Sequence, residues 1–199
     1  MHLLKLALVI AMVTLKAHAS TCSDPTWVAE PEMSDGKFKG ELTGVCRIAV
    51  ETAPDLRRLV EYFEAEIEKS VVTTFESRVP DTELLPGGRR WDLLIKVKEG
   101  KIRNNFQLAS DGKDLLIYQT RSKEIKFGGL AGYLKKLNVK VVVRRVSDRE
   151  VTLKLNSLTW IDKPLVAPSG TFYNIAIKNS LKQFTQELES VTEKIKNNL

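Results

Sequence analysis

Histidine is nearly absent from this sequence of 199 residues, which contains two, His2 and His18. Both lie in the first nineteen residues, which have the pattern of a removable secretion signal, so the mature chain would contain none. A chain without histidine has no Ser-His-Asp triad, no Cys-His pair and no imidazole metal ligand. We therefore expect no metal site and no cofactor.

Carboxylates do not replace this missing chemistry. Four glutamates between residues 61 and 68 fall mostly on the solvated side of one predicted helix, and Asp92 and Asp114 are isolated in sequence. No pair of acidic residues is marked for general acid and base roles. We predict no catalytic residue, and hence a protein that is not an enzyme.

Long apolar runs are also lacking, apart from a short one at the start. Lys5 is followed by the apolar residues 6–13 and then by Ala17-His18-Ala19, a small-x-small cleavage site. A membrane anchor is the alternative, but the run is shorter than the about 20 residues that cross a bilayer. A lipoprotein signal fits poorly, because Thr21 before Cys22 is larger than usual. We expect cleavage after Ala19 and an exported product, periplasmic or extracellular.

The excess of positive charge is small. The net charge is +6, and removal of Lys5 and Lys16 leaves +4 on residues 20–199. Basic pairs have acidic neighbours in sequence, and no long block of one sign exists. We therefore expect no nucleic-acid partner, whereas transient contact with an anionic membrane surface stays open.

Cysteine is limited to Cys22 and Cys46. In an oxidising compartment such a pair favours a disulfide, which would tie the N-terminal segment to the first strand. A bridge that closes a loop of this length contributes about 3 kcal/mol by chain-entropy reasoning. Two free thiols are the alternative.

Apolar periodicity predicts strands and one early helix in the first two thirds of the chain. Residues 20–43 carry turn signals and are predicted to be irregular. The early helix has Pro54 in its first turn and apolar residues at helical spacing, from Leu56 to Ile67. Asp111-Gly112 predicts a hairpin turn. The predicted antiparallel strands are 44–52, 91–97, 102–108, 114–121, 139–146 and 151–161.

One long helix is predicted at the end of the chain, with Ser169 as its N-cap. Its apolar stripe consists of Ile177, Leu181, Phe184, Leu188, Val191 and Ile195. A helix with one continuous stripe must bury it, and the sheet is the largest available surface. A coiled-coil dimer would leave one face of the sheet bare, so we expect a monomer.

The order of elements, strand, helix, antiparallel meander and long terminal helix, resembles the helix-grip α+β fold of the START and polyketide-cyclase-like (SRPBCC) superfamily. The resemblance covers residues 44–199, and its most specific part is the junction before the last helix. That junction contains Trp160-Ile161-Asp162, Pro164, Pro168 and Phe172-Tyr173-Asn174. The chain departs from the family by the insertion Ser169-Gly170-Thr171 and by one early helix in place of two short ones.

The resemblance implies a cavity between sheet and terminal helix that holds a lipid or another apolar ligand. Large side chains on the elements that would line it are Trp91, Phe106, Tyr118, Trp160, Phe172 and Phe184. Tyr133 lies in the glycine-rich segment 127–137, which is a candidate gate or a plain connection. The same side chains could simply fill a core. Two functions follow: an exported carrier of an apolar ligand, or an envelope adaptor with a filled core that acts through its surface.

Overall fold

The computed structural model describes residues 20–69, 74–78, 88–97, 100–127, 133–165 and 167–199. The predicted signal peptide and residues 128–132 of the candidate gate lie outside these ranges.

The described chain forms ten strands and two helices. In order they are β1 (Ser20–Cys22), β2 (Thr26–Trp27), β3 (Glu32–Ser34), β4 (Lys37–Ala49), α1 (Leu56–Lys69), β5 (Thr74–Arg78), β6 (Arg89–Val97), β7 (Gly100–Ser110), β8 (Leu115–Phe127), β9 (Leu134–Ser147), β10 (Glu150–Asp162) and α2 (Ser169–Lys196). The strands form one antiparallel sheet in the order β1-β4-β10-β9-β8-β7-β6-β5, and β2 and β3 also pair with β4. The predicted α+β helix-grip class, an antiparallel sheet with a long C-terminal helix on it, is confirmed.

The first long strand begins at Lys37, not at residue 44 as predicted. Its even-numbered side chains, such as Phe38, Leu42 and Ile48, are buried, and the residues between them are more exposed. This alternation is that of a strand with one face in the core. The segment before it, predicted to be irregular, supplies three short strands that pair with β4. The turn between β3 and β4 contains Asp35 and Gly36, which both have positive φ angles.

The predicted disulfide is present. Cys22 and Cys46 are bonded and lie directly opposite each other in the pairing of β1 with β4. Cys46 is completely buried, and the hydroxyl of Thr192 on α2 donates to its Sγ at 3.2 Å. The bridge therefore joins the edge strand to the part of the sheet that the terminal helix covers.

The predicted turn at Asp111-Gly112 is present but is longer than a two-residue hairpin. Gly112 has a φ of 75°, and the Asp111 carboxylate accepts hydrogen bonds from the backbone N–H groups of Lys113, Asp114 and Leu115. These bonds satisfy the backbone donors of the turn and lower the pKa of Asp111.

The terminal helix packs on the sheet along the predicted stripe. Phe184, Leu188 and Ile195 are at most 3% exposed. The prediction of Ser169 as N-cap was wrong. Pro168 holds that position and its carbonyl accepts from the N–H of Phe172, whereas Ser169 is already helical. No side chain of the described residues caps this end of the helix.

Helix and sheet approach most closely at Gly44 on β4. A Cβ atom placed there would lie 2.7 Å from Cδ2 of Leu188 and 3.0 Å from Cε1 of Phe184. Real carbon atoms do not come this close without displacement. The absent side chain therefore lets two large residues of α2 lie directly on the strand.

We predict that Gly44→Ala destabilises the fold by about 1–3 kcal/mol, because overpacking forces Leu188 or the helix to move. The matched control is Gly170→Ala in the first turn of α2, where an added Cβ meets nothing within 4 Å and helix propensity favours alanine. Denaturant unfolding of both variants measures the difference. Equal midpoints for the two variants would contradict the close contact.

Candidate functional site: a cavity between the helices and the sheet

A cavity of about 240 Å³ lies where α1 and α2 face the middle of the sheet. The sheet supplies its floor, from β7, β8 and β9, and the two helices supply its walls. The floor consists of Phe106, Tyr118, Thr120, Val139 and Val141. The walls consist of Tyr62, Phe63, Glu66 and Ile67 on α1 and Glu187, Val191 and Lys194 on α2.

Aromatic rings form one continuous side of the cavity. Phe63 of α1 stacks on Tyr118 of β8 with ring centres 4.7 Å apart and planes within 15°. Tyr62 meets Phe63 edge to face at 5.5 Å, and Phe106 lies 6.1 Å from Tyr118. Such ring pairs add to the stability from burial and hold one another in place. The apolar surface of this side is therefore preformed.

Burial controls the ionisation of the polar groups. It is the main cause that raises the pKa of Tyr118, and the nearby carboxylates of Glu187 and Glu66 and the phenol of Tyr62 raise it further. Burial likewise raises the pKa of Glu187. The phenol therefore stays protonated, and the Glu187 carboxyl takes up a proton more readily than a solvated one. This suits hydrogen bonding to a ligand rather than nucleophilic attack.

One floor residue has unused hydrogen-bonding capacity. The Oγ1 atom of Thr120 is buried and has no hydrogen-bond partner within the described ranges. A buried hydroxyl without a partner costs about 1–3 kcal/mol. The floor of the cavity is thus apolar over most of its area and polar at the hydroxyl groups of Tyr118 and Thr120.

Two of the seven residues predicted to bind a ligand, Phe106 and Tyr118, line this cavity. Trp91 is opposite Phe106 in the pairing of β6 with β7, but it is packed within the core. Phe184 packs against Gly44 and does not line the cavity. Phe172 belongs to a second cluster with Phe38 and Ala176 at the other end of α2.

Trp160 lies on the opposite face of the sheet. It pairs with Lys39 of β4, and the Nζ of Lys37 lies 6.0 Å from its ring centre. Tyr133 is half-buried just before β9 and is not part of the cavity wall. A tryptophan at the end of a strand gives no sign of which face it occupies unless the strand pairing is known.

Sequence reasoning missed most of the helix residues around the cavity. Phe63 and Val191 belong to the predicted apolar stripes of α1 and α2. The stripes therefore predicted that these two side chains face the sheet, but not that they line the cavity. Glu187 carries no signal of its own, because a single glutamate on a long helix is ordinarily solvated. Its position depends on how α2 is rotated over the sheet.

Comparisons with known proteins give structural likeness but no sequence match. No protein-family model matches the chain, and no curated protein matches it. Among solved structures, the human StarD13 (DLC2) lipid transfer and protein localization domain is 10% identical, with 100% of this chain and 96% of that chain covered and a TM-score of 0.42. Human STARD10 is 10% identical, with coverage of 85% and 72% and a TM-score of 0.40. The STAR-related lipid transfer protein from Xanthomonas axonopodis is 8% identical, with coverage of 87% and 99% and a TM-score of 0.38.

The chain has a START-like fold. The strand order and the terminal helix are the observations that support this assignment, and they agree with the family resemblance of the sequence. The sequence identities and TM-scores are too low for these solved structures to indicate what ligand this chain binds.

The described residues contain neither a membrane-spanning helix nor a cluster of metal ligands. No helix among them has the length and apolar character needed to cross a membrane. No group of three or more His, Cys, Asp or Glu side chains within the same ranges is placed to hold a metal ion.

The raised pKa of Glu187 predicts a pH dependence of stability. The pKa of Glu187 is higher in the folded than in the unfolded protein. At a pH between the two pKa values, the folded protein therefore binds more protons at Glu187 than the unfolded protein does. The stability linked to Glu187 is therefore complete below the unfolded pKa of about 4.3 and is lost as the pH rises through the folded one. Glu187→Gln should gain stability relative to the wild type between about pH 4 and pH 8.

The measurement is urea unfolding of the wild type and the variant across that pH range. Glu189→Gln, an exposed site on the same helix, is the control and should differ from the wild type by an amount that does not change with pH. A difference for Glu187→Gln that is equally flat would show that this carboxyl is solvated.

Proposed function

We propose that the cavity binds a small apolar molecule with one polar end, such as a single-chain lipid. The observation that carries this proposal is the cavity itself, which has an aromatic and aliphatic interior and charged groups on the helix side. Ligand sites combine apolar walls with few polar groups in this way. Its volume of about 240 Å³ is slightly below the about 300–1,000 Å³ of sites for drug-sized molecules. A slender ligand fits this size better than a two-chain lipid.

The lining also suggests how such a ligand is oriented. The apolar part lies over Val139, Val141 and Phe106 of the floor, where contact with protein replaces contact with water. The polar end lies between the helices, near Glu187 of the wall and the exposed Lys194. A protonated Glu187 can donate to an ester or carboxylate oxygen, and an ionised Glu187 can accept from a hydroxyl.

We further propose that the protein acts after export, as a periplasmic or extracellular carrier. The pattern of residues 1–19 supports this, with a basic start, a short apolar run and a small-residue cleavage site. The Cys22–Cys46 bridge also supports it, because structural disulfides are typical of oxidising compartments.

The adaptor alternative has less support. An adaptor surface would be a continuous exposed apolar patch. The large apolar residues that are exposed in the described chain come from five separate segments: Val28, Val45, Val146, Leu165 and Ile175. Single exposed side chains of this kind are ordinary in soluble proteins.

Filling the cavity should weaken ligand binding without unfolding the protein. Val191 is a half-buried wall residue, and we expect Val191→Trp to place an indole in the space that the ligand would occupy. The fluorescent fatty acid cis-parinaric acid is the probe. Its affinity should fall by about tenfold or more, equivalent to about 1.4 kcal/mol.

Ile175→Trp is the matched control, because residue 175 is exposed on the same helix and does not line the cavity. It should keep both the affinity and the unfolding midpoint of the wild type. Failure of the wild type to bind the probe, or equal affinity of the wild type and a folded Val191→Trp, would refute the carrier function.

Export predicts a specific mature N-terminus. Intact-mass measurement of the protein recovered from outside the cytoplasm should give a chain that begins at Ser20, with its two cysteines oxidised. A chain that retains Met1, or one that begins with a lipid-modified Cys22, would show that the proposed signal is wrong.

A further inference from the structure

The face of the sheet that points away from the helices has a second concavity, with a volume of about 560 Å³. We call it the polar groove. It crosses strands β4, β10, β9, β8, β7 and β6. On β7 the side chains of Asn105 and Gln107 point toward it, and Phe106 between them points toward the cavity on the opposite face. Only two of its lining residues, Val139 and Leu158, are apolar, so it is unsuited to the apolar ligand proposed above.

Cations and carboxamides alternate across the groove in the register of the strands. One row contains, from β10 to β6, Asn156, Lys140, Gln119, Gln107 and Arg90, each opposite the next in the strand pairing.

In the next row, Arg121 of β8 is opposite Asn138 and Asn105. No two cations of these rows face each other directly, which avoids the repulsion of like charges in cross-strand pairs.

The floor of the groove is polar, buried and fixed by hydrogen bonds. Asn105 is 2% exposed and Gln107 is 7% exposed. The Nε2 of Gln107 donates to Oδ1 of Asn105 at 3.1 Å, and the Nδ2 of Asn105 donates to Oδ1 of Asp92 at 2.7 Å. Lys123 completes the chain with an ion pair to Asp92 at 3.0 Å. Amide side chains on an ordinary solvated face are exposed, and an ordinary apolar core contains few of them. Buried amides held by hydrogen bonds therefore give this floor the character of a preorganised polar site.

Positive charge is concentrated in the groove. Five cationic side chains line it, namely Arg90, Arg121, Lys123, Lys136 and Lys140, against one carboxylate, Glu41. Even when Asp92 beneath Lys123 is included, an excess of three positive charges remains. The whole of residues 20–199 carries only +4, so the charges elsewhere nearly balance. The groove therefore attracts an anion far more than the average surface does.

We propose that the polar groove binds an acidic saccharide, a sugar chain that carries carboxylate or sulfate groups. The guanidinium and ammonium groups bind the acidic substituents by charge-assisted hydrogen bonds. Carboxamides offer both donors and acceptors, which matches hydroxyl groups that also do both. A bare phosphate or sulfate only accepts hydrogen bonds and would leave the buried Oδ1 of Asn138, which has no partner among the described residues, without a donor. The proposal does not depend on the apolar cavity, because the two sites lie on opposite faces of the sheet.

The test is isothermal titration of the purified protein with tetragalacturonic acid, with maltotetraose as the neutral tetramer and with inorganic phosphate. We expect saturable binding of the acidic tetramer, and affinities at least tenfold weaker for the other two. Lys140→Gln and Arg90→Gln should each weaken binding about tenfold. Lys178→Gln, an equal charge change at an exposed site on α2, should leave the affinity within about twofold, as expected for a distant screened charge.

Several results would overturn the proposal. No binding of the acidic tetramer, or equal binding of maltotetraose, would exclude an acidic saccharide. Equally tight binding of phosphate would indicate a simple anion site. An equal loss in Lys178→Gln would show that only net charge matters. The groove would be assigned to lipid headgroups instead if the wild type does not bind the tetramer but sediments with phosphatidylglycerol vesicles, and if Lys140→Gln abolishes that sedimentation.

Discussion

The contact of α2 with β4 at Gly44 is the constraint on which the rest of the structure depends. Because a side chain there would collide with Leu188 and Phe184, glycine fixes how closely the helix approaches the sheet at this point. The disulfide at the buried Cys46 lies two residues further along the same strand, and Cys46 also contacts the helix through Thr192. Close packing at this end of the sheet leaves a space further across it, where residues of both α1 and α2 line the cavity over β7, β8 and β9. The cavity follows from a helix that is held tightly on one side only.

The two faces of the sheet are chemically different because of the two-residue period of its strands. On β7 the inward residues Phe106 and Leu108 are apolar, whereas the outward Asn105 and Gln107 are polar and nevertheless buried. One strand can therefore supply the floor of an apolar cavity and the floor of a polar groove. A change on one face need not disturb the other, so the two proposed ligands can be tested separately.

The sequence predicted the fold better than the site. Periodic apolar residues predicted both helices, the Asp111-Gly112 dipeptide predicted the hairpin, and the presence of only two cysteines predicted the disulfide. Each depends on local spacing or on a simple choice of partners. β8 continues to Phe127 and β9 begins at Leu134, beyond the predicted bounds. These ends were missed because runs of polar residues, 122–124 in β8 and 135–136 in β9, interrupt the apolar alternation. Phe184 and Trp160 were assigned to a ligand site that they do not line, because helix rotation and strand register are set by tertiary packing. Glu187 and the groove were missed for the same reason.

Native mass spectrometry can measure whether the cavity between the helices and the sheet holds one apolar molecule. The protein is incubated with a mixed extract of apolar lipids, and what remains bound is identified after organic extraction. We expect a complex with one ligand per chain and release of a single-chain apolar compound. Detection of the ligand-free mass alone would show that the cavity binds no such molecule.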